Sequence, residues 1–353
     1  MEDLGNFVQI TFLAFKNILN KINIINSFIQ PQNNNISNLI SQLSQSIFPH
    51  QLNYVSSTIL NELDQILIYI RSLTDKEFFQ REEQRGFENM YHEYRNEINL
   101  GYFTTNGNNE QILGTDFVKK NLGNIELIVN GQKNALADKV NLREGQNNVK
   151  IIIKNKLTSL DNMFKDCKAL RNINDLQYLE TKDITDFSFM FFGCSSLLDL
   201  NPIRYWLVNN GKNFQNMFGG CTSLQDISPL KYWQVSNVTN FSTMFYFCSS
   251  LSDLSPLQNW NVSSGENFSG MFSKCKSIYD LSPLQNWNIS KGKNFSAMFF
   301  ECPLVSEIAP FQKWKVPKDA VFSRMFCETK AIRNAQILQT WELPKDKFNS
   351  MFV

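Results

Sequence analysis

The stretch Met244-Phe-Tyr-Phe-Cys-Ser-Ser-Leu-Ser-Asp-Leu-Ser-Pro-Leu-Gln-Asn-Trp-Asn-Val-Ser263 decides the fold, because nearly every marked residue in it recurs 27 positions away on either side. Met-Phe pairs begin at Met163, Met190, Met217, Met244, Met271, Met298 and Met325, at that same constant step. All six tryptophans keep the same phase, at Trp206, Trp233, Trp260, Trp287, Trp314 and Trp341. Six of the seven cysteines do so as well: Cys167, Cys194, Cys221, Cys248, Cys275 and Cys302. Columns of Phe (Phe187, Phe214, Phe241, Phe268, Phe295, Phe322) and of Pro (Pro202, Pro229, Pro256, Pro283, Pro310) complete the pattern. A fixed period of this length is the signature of a solenoid, in which each side chain stacks on its copy in the next coil.

Within one coil, Phe241, Met244, Phe245 and Cys248 stand at spacings 3, 4 and 7, which predicts a short helical turn over 242–248 with one apolar stripe. Leu251 and Leu254 fall in a short extended segment. Ser255-Pro256 then reads as an N-cap serine before a first-turn proline, opening a second brief turn through Leu257 and Trp260. Coils spaced as stacked strands, about 4.8 Å apart, make a rod roughly 35 Å long.

The pattern decays toward its end. Cys327 comes two residues early, Ile337 replaces the Pro, and the step from Met325 to Met351 is 26. No polar cap follows, so either Lys330 to Gln339 forms a makeshift helical cap or the last face is covered by something else. Upstream, Asp116 to Asn121 predicts a helical turn, and Ile125–Val129 and Val149–Ile153 predict strands, with a turn at Asn130-Gly131. Residues 110–156 are therefore expected to form a small β-rich cap sealing the first coil. Residues 1–100 carry helical periodicity. Leu4, Val8, Phe12, Phe15, Ile18, Ile22, Ile25 and Ile29 trace one face, and Ile59, Leu63, Ile66, Ile70 and Leu73 form a 4-3-4-3 seam. A capping box at Thr74–Glu77 opens a charged helix running past Tyr94 to Ile98.

Lys plus Arg (34) balance Asp plus Glu (33), which removes the electrostatic case for nucleic acid or an anionic membrane surface. The acidic start Met1-Glu2-Asp3 is unlike a secretory signal, and no apolar run is long enough to span a bilayer. Abundant Asn, Gln, Ile and Lys with sparse Gly, Pro and Ala suggest an AT-rich protist genome.

Little catalytic chemistry is visible. His50 and His92 are the only histidines, no Cys-x-x-Cys occurs, and no phosphate-binding glycine motif is present. No cofactor and no metal site is expected. Two columns admit a functional reading beside a structural one. The cysteines could form disulfides or hold a soft metal, or be a ladder of small buried thiols. Asp199, Asp226, Asp253, Asp280 and Glu307 could bind Ca²⁺ or a basic partner, or bond backbone N–H groups at the Ser-Pro turn. The recurring sequons at Asn237, Asn261, Asn267, Asn288 and Asn294 read most simply as turn residues.

The motif Asn-Phe-Ser-x-Met-Phe-x-x-Cys-x-Ser-Leu-x-Asp-Leu-x-Pro-Leu-x-x-Trp-x-Val-Ser resembles the 26-residue surface-protein repeat family, related to BspA-type leucine-rich repeats of bacterial surface proteins and protists. Ile112–Asn121 resembles the module that precedes such arrays in protist members. The resemblance covers roughly residues 110–353 and carries no catalytic residues; it implies a right-handed leucine-rich-repeat-like solenoid used for binding. The expected fold class is thus α+β: an α-helical bundle or arm over 1–100, a β-rich cap over 110–156, and about seven coils over 157–353.

The expected function is a non-catalytic protein–protein interaction scaffold, a structural or adaptor subunit of a larger assembly. Its partners are other proteins, with no nucleic acid, membrane insertion or small-molecule substrate, and its place is cytoplasmic, with the cytoskeleton as one site of association. A cell-surface adhesin is the alternative. The seam Ile59, Leu63, Ile66, Ile70, Leu73 and the edge residues Phe348, Met351 and Phe352 are the expected partner contacts.

Overall fold

The computed structural model divides the chain into two units, Met1–Glu93 and Tyr94–Val353. The structure describes residues 94–353, without the side chains of 331–334. The helical expectations for 1–93, including the seam from Ile59 to Leu73, lie outside the described residues. Residues 94–353 form a mixed α/β architecture of small antiparallel sheets, two short helices and periodic 3-10 turns.

The unit begins with a strand where the charged-helix pattern predicts helix. Ile98, Leu100 and Tyr102 alternate on one buried face, and this period of two places them in β1 (Glu97–Thr104). β2 (Asn109–Gln111), helix α1 (Thr115–Lys120), β3 (Ile125–Val129), β4 (Gln132–Asn134), β5 (Lys139–Asn141), β6 (Gly145–Ile153) and β7 (Leu170–Asn172) follow. The larger sheet runs β4-β3-β6-β1-β7, antiparallel throughout, and β2 pairs with β5. The expected turn at Asn130-Gly131 forms as a two-residue hairpin to β4, a strand the sequence did not announce, and both residues take the positive φ (50° and 83°) it requires.

β7 belongs to the first 27-residue repeat, so the sheet is continuous with the array. Phe103 N–H donates to the Ala169 carbonyl at 2.8 Å, and Gly114 N–H to the Met163 carbonyl at 2.9 Å. Arg171 lies over the Phe103 ring, 4.4 Å from its centroid. Gly114 is needed for this approach: a Cβ there would stand 1.8 Å from the carbonyl oxygen of Asn162. Gly114→Ala is therefore expected to destabilise the cap–array junction by about 3 kcal/mol or more, the upper range for overpacking against backbone. Chemical denaturation checks it, and a change within about 0.5 kcal/mol would mean that the junction yields freely.

Seven repeats open at Leu160, Phe187, Phe214, Phe241, Phe268, Phe295 and Phe322, and are numbered in that order. Their opening segment is not the helical turn that spacing predicts. In the fourth repeat the N–H groups of Met244, Tyr246 and Cys248 donate three residues back, to Phe241, Thr243 and Phe245. The alternate N–H groups, of Phe241, Thr243, Phe245 and Phe247, donate to Asn267 at the junction with the next repeat and to Ser269, Met271 and Ser273 within it, at 2.8 or 2.9 Å. An α-helix would turn every N–H onto its own segment; here half of them join neighbouring repeats. The geometry demands left-handed residues at Thr243 (φ 54°) and Phe247 (φ 57°), and the same two positions are left-handed in every repeat. Parallel pairings at Asp186, Asn213, Asn240, Asn267, Asn294 and Val321 run beside this ladder.

The second turn forms as expected, as 3-10 turns such as Ser255–Leu257 with Pro256 inside, but serine is not its cap. Asp253 Oδ1 accepts the Ser255 N–H at 2.8 Å, and Ser255 Oγ donates to Asp253 Oδ2 at 2.8 Å. Asp226 and Asp280 do the same for Ser228 and Ser282, and Asp199 for Asn201 N–H. These four aspartates are thus engaged in Asx turns, the backbone-bonding alternative. Among the described residues no cluster of three or more His, Cys, Asp or Glu could hold a metal ion.

Candidate interaction surface

The strongest sequence columns are interior. Phe164, Phe191, Phe218, Phe245, Phe272, Phe299 and Phe326 form one stack with centroids 5.6 to 5.7 Å apart. Every tryptophan donates its indole N–H to a carbonyl 30 residues back, as Trp260 does to Leu230 at 2.9 Å. The thiols of Cys194, Cys221, Cys248, Cys275 and Cys302 do likewise, toward Phe carbonyls 3.0 to 3.2 Å away. All seven cysteines are free and buried. Burial pushes Cys167, Cys194, Cys221, Cys248 and Cys275 well above the ordinary thiol range, and Cys302 up to about 12. These thiols are core groups held neutral by their surroundings.

At the C-terminal side, the residues expected at an open edge continue the columns. Phe352 stacks on Phe326 at 5.8 Å and touches Phe348 at 5.7 Å. Met351 is fully buried, and its carbonyl accepts the Phe326 N–H at 2.8 Å. Helix α2 (Lys345–Ser350) leads into this turn, and residues Ala331–Trp341 before it are 3-10 helical rather than α-helical. Phe348 and Phe352 remain partly exposed while packing on the core; Met351 presents no surface.

Periodicity gives no notice of the face made by the opening turns, where side chains vary from repeat to repeat. Phe189 and Phe192 of the second repeat meet edge-to-face at 5.7 Å. Tyr246 and Phe247 of the fourth repeat stand 6.2 Å apart, and Phe247 is 39% exposed. Phe300 supplies the ring in the sixth. The intervening third repeat has Gly219, which is buried, and Gly220, and the fifth has Gly270 and Ser273, both buried, followed by Lys274. Aromatic ridges on alternate repeats are thus separated by small residues and, in the fifth repeat, by Lys274 as well. The signal in the sequence is the residue content of these variable columns rather than the period itself.

Cations attend two of the ridges. Lys165 Nζ lies 5.1 Å from the Phe189 centroid and 6.0 Å from that of Phe192. Arg324 lies 4.5 Å and Lys274 6.0 Å from the Phe300 centroid. A ring face attracts a nearby cation through its quadrupole.

Stacked interior ladders with a variable exterior define a repeat protein. A family model described as "Mycoplasma protein of unknown function, DUF285" matches residues 158–281 and 251–353, together more than half of the chain. The chain belongs to the DUF285 family. No curated protein and no solved structure matches it.

Proposed function

We propose that this chain is a non-catalytic scaffold for protein–protein interaction, a structural or adaptor subunit of a larger assembly. Its array is read as a right-handed, leucine-rich-repeat-like solenoid of the BspA type. The observation that carries the reading is the division of labour within each repeat. Recurring Met, Phe, Cys and Trp fill the interior, while the variable positions display aromatic and cationic side chains on a surface held by repeat-to-repeat backbone bonds. Such a face has little freedom to lose on binding, which favours recognition over a broad area. No helix among the described residues is long and apolar enough to cross a membrane.

The proposed partners are other proteins, and the proposed docking elements are the seam Ile59, Leu63, Ile66, Ile70 and Leu73 with the exposed parts of Phe348 and Phe352. Replacing Leu63 and Ile66 by Asp is expected to lower the native mass at which the protein migrates in gently lysed cells, with its circular dichroism and melting otherwise unchanged. A wild-type chain that already migrates as a monomer, with its native mass unaltered by both substitutions, defeats the scaffold reading. The adhesin alternative would be favoured by glycans on the exposed Asn237, Asn261 or Asn288.

A further inference from the structure

The three aromatic ridges are equivalent by register, yet among the described residues cations cover only two of them. Phe192, Tyr246 and Phe300 occupy the same column, on every second repeat. The cation over Phe192 comes from Lys165, at the equivalent place one repeat earlier. Those over Phe300 come from Lys274 in the preceding repeat and Arg324 in the following one. The positions that stand to Tyr246 as Lys165 stands to Phe192, and as Lys274 and Arg324 stand to Phe300, are Gly219, Gly220 and Gly270. Around the ridge of the fourth repeat, every position from which this fold places a cation over the other two ridges is a glycine.

The surroundings agree with this. Among the described residues no Lys or Arg lies over the ring of Tyr246 or Phe247, whereas cations do lie over Phe189, Phe192 and Phe300. The opening turns of the second to fourth repeats carry no charged side chain at all. Lys274, the next residue in the column of Phe247, is turned to the sixth repeat, where its Nζ stands 3.6 Å from Glu301. A cation arriving at Tyr246 and Phe247 therefore meets two rings, the half-buried Gly220 and a lysine already paired with a carboxylate.

We propose that Tyr246 and Phe247 form a docking site for a lysine or arginine side chain of a partner protein, which completes from outside the cation–aromatic contact the chain makes for itself on the other two ridges. This site deepens the scaffold reading and rests on it for the identity of the occupant as a protein. The approach of the guanidinium or ammonium group is a non-covalent one, so binding should be governed by cation and ring together. A wholly apolar side chain of the same length gains only the burial of its stem.

The test uses the full chain labelled with ¹³C in its Phe and Tyr rings, titrated with N-acetyl-arginine amide, N-acetyl-lysine amide and N-acetyl-norleucine amide. Saturable shifts are expected at the rings of Tyr246 and Phe247 with the two cationic amides, with norleucine amide about tenfold weaker. Gly220→Lys should abolish these shifts by supplying the missing cation. Lys274 (φ 63°) holds a lysine at the corresponding left-handed position two repeats on, although a Cβ at Gly220 (φ 74°) would stand 3.3 Å from the Gly193 backbone, which must give by a few tenths of an ångström. Phe247→Leu, at a site 39% exposed, should weaken binding without unfolding the chain, and it carries the test if the lysine variant fails to fold. Equal shifts from norleucine amide, shifts confined to other rings, or no shift of either ring would overturn the proposal. So would choline shifting the rings while arginine amide leaves them unmoved. Free amides probe this site alone, so the native-mass experiment can fail while this one succeeds, and the reverse.

Discussion

Raising the pH from 8 to 10 is expected to lower the stability of the array steeply, with the thiol column as the main cause. Burial holds Cys167, Cys194, Cys221, Cys248, Cys275 and Cys302 neutral in the folded chain above the ordinary thiol range. The unfolded chain releases these protons at ordinary pH values, so it binds fewer protons than the folded chain, and stability falls as pH rises. Below the ordinary range both states are protonated and the thiols contribute no pH dependence. Above it, each thiol removes about 1.4 kcal/mol per pH unit until its folded value is reached. Six together remove on the order of 8 kcal/mol one unit above the ordinary value, comparable to the whole stability of a typical domain. The buried Tyr102 phenol, also raised by burial, adds to the loss at higher pH.

Melting temperatures at pH 8, 9 and 10 test this, with Cys221→Ala plus Cys248→Ala as the comparison. That pair lowers stability at every pH by leaving cavities but should flatten the pH slope by about a third, having removed two of six thiols. A melting temperature independent of pH up to 10 would show that the array admits thiolates without opening.

Trp260→Ala is the second large effect expected, at about 3–5 kcal/mol, the usual cost of deleting a buried large aromatic. The indole is 4% exposed and packs 6.1 Å from the Phe241 ring. Its N–H donates to the Leu230 carbonyl at 2.9 Å, so truncation also deprives the third repeat of a hydrogen bond. Trp260→Phe keeps an aromatic ring and loses the donor, and is expected to cost less. A loss below about 1 kcal/mol for the alanine variant would contradict the packed position of the tryptophan column. Because each repeat is bonded to its neighbours, a central substitution should be felt on both sides of it.

The interior of this protein is legible from periodicity alone. Met, Phe, Cys and Trp columns at a constant step point to the core, and Met244, Phe245, Cys248 and Trp260 are buried. The hairpin at Asn130-Gly131 is legible for a local reason, since both residues readily take positive φ. The position of β1 is present as the alternation of Ile98, Leu100 and Tyr102 but is outweighed by the helical pattern before it.

What only the tertiary structure decided depends on the neighbouring repeat. Spacings of 3, 4 and 7 predict a helical turn over 242–248, yet alternate N–H groups bond the next repeat and hold even Thr243 and Phe247 left-handed. That override of local preference is possible because backbone groups buried between repeats must be paired, and the next repeat supplies the carbonyls. The capping role of Asp253 in place of Ser255 likewise depends on how its carboxylate meets the turn. That no described Lys or Arg lies over the rings of Tyr246 and Phe247 is more remote still from any linear reading. Their state is set by residues in the repeats before and after, whose reach across the array exists only once it has folded.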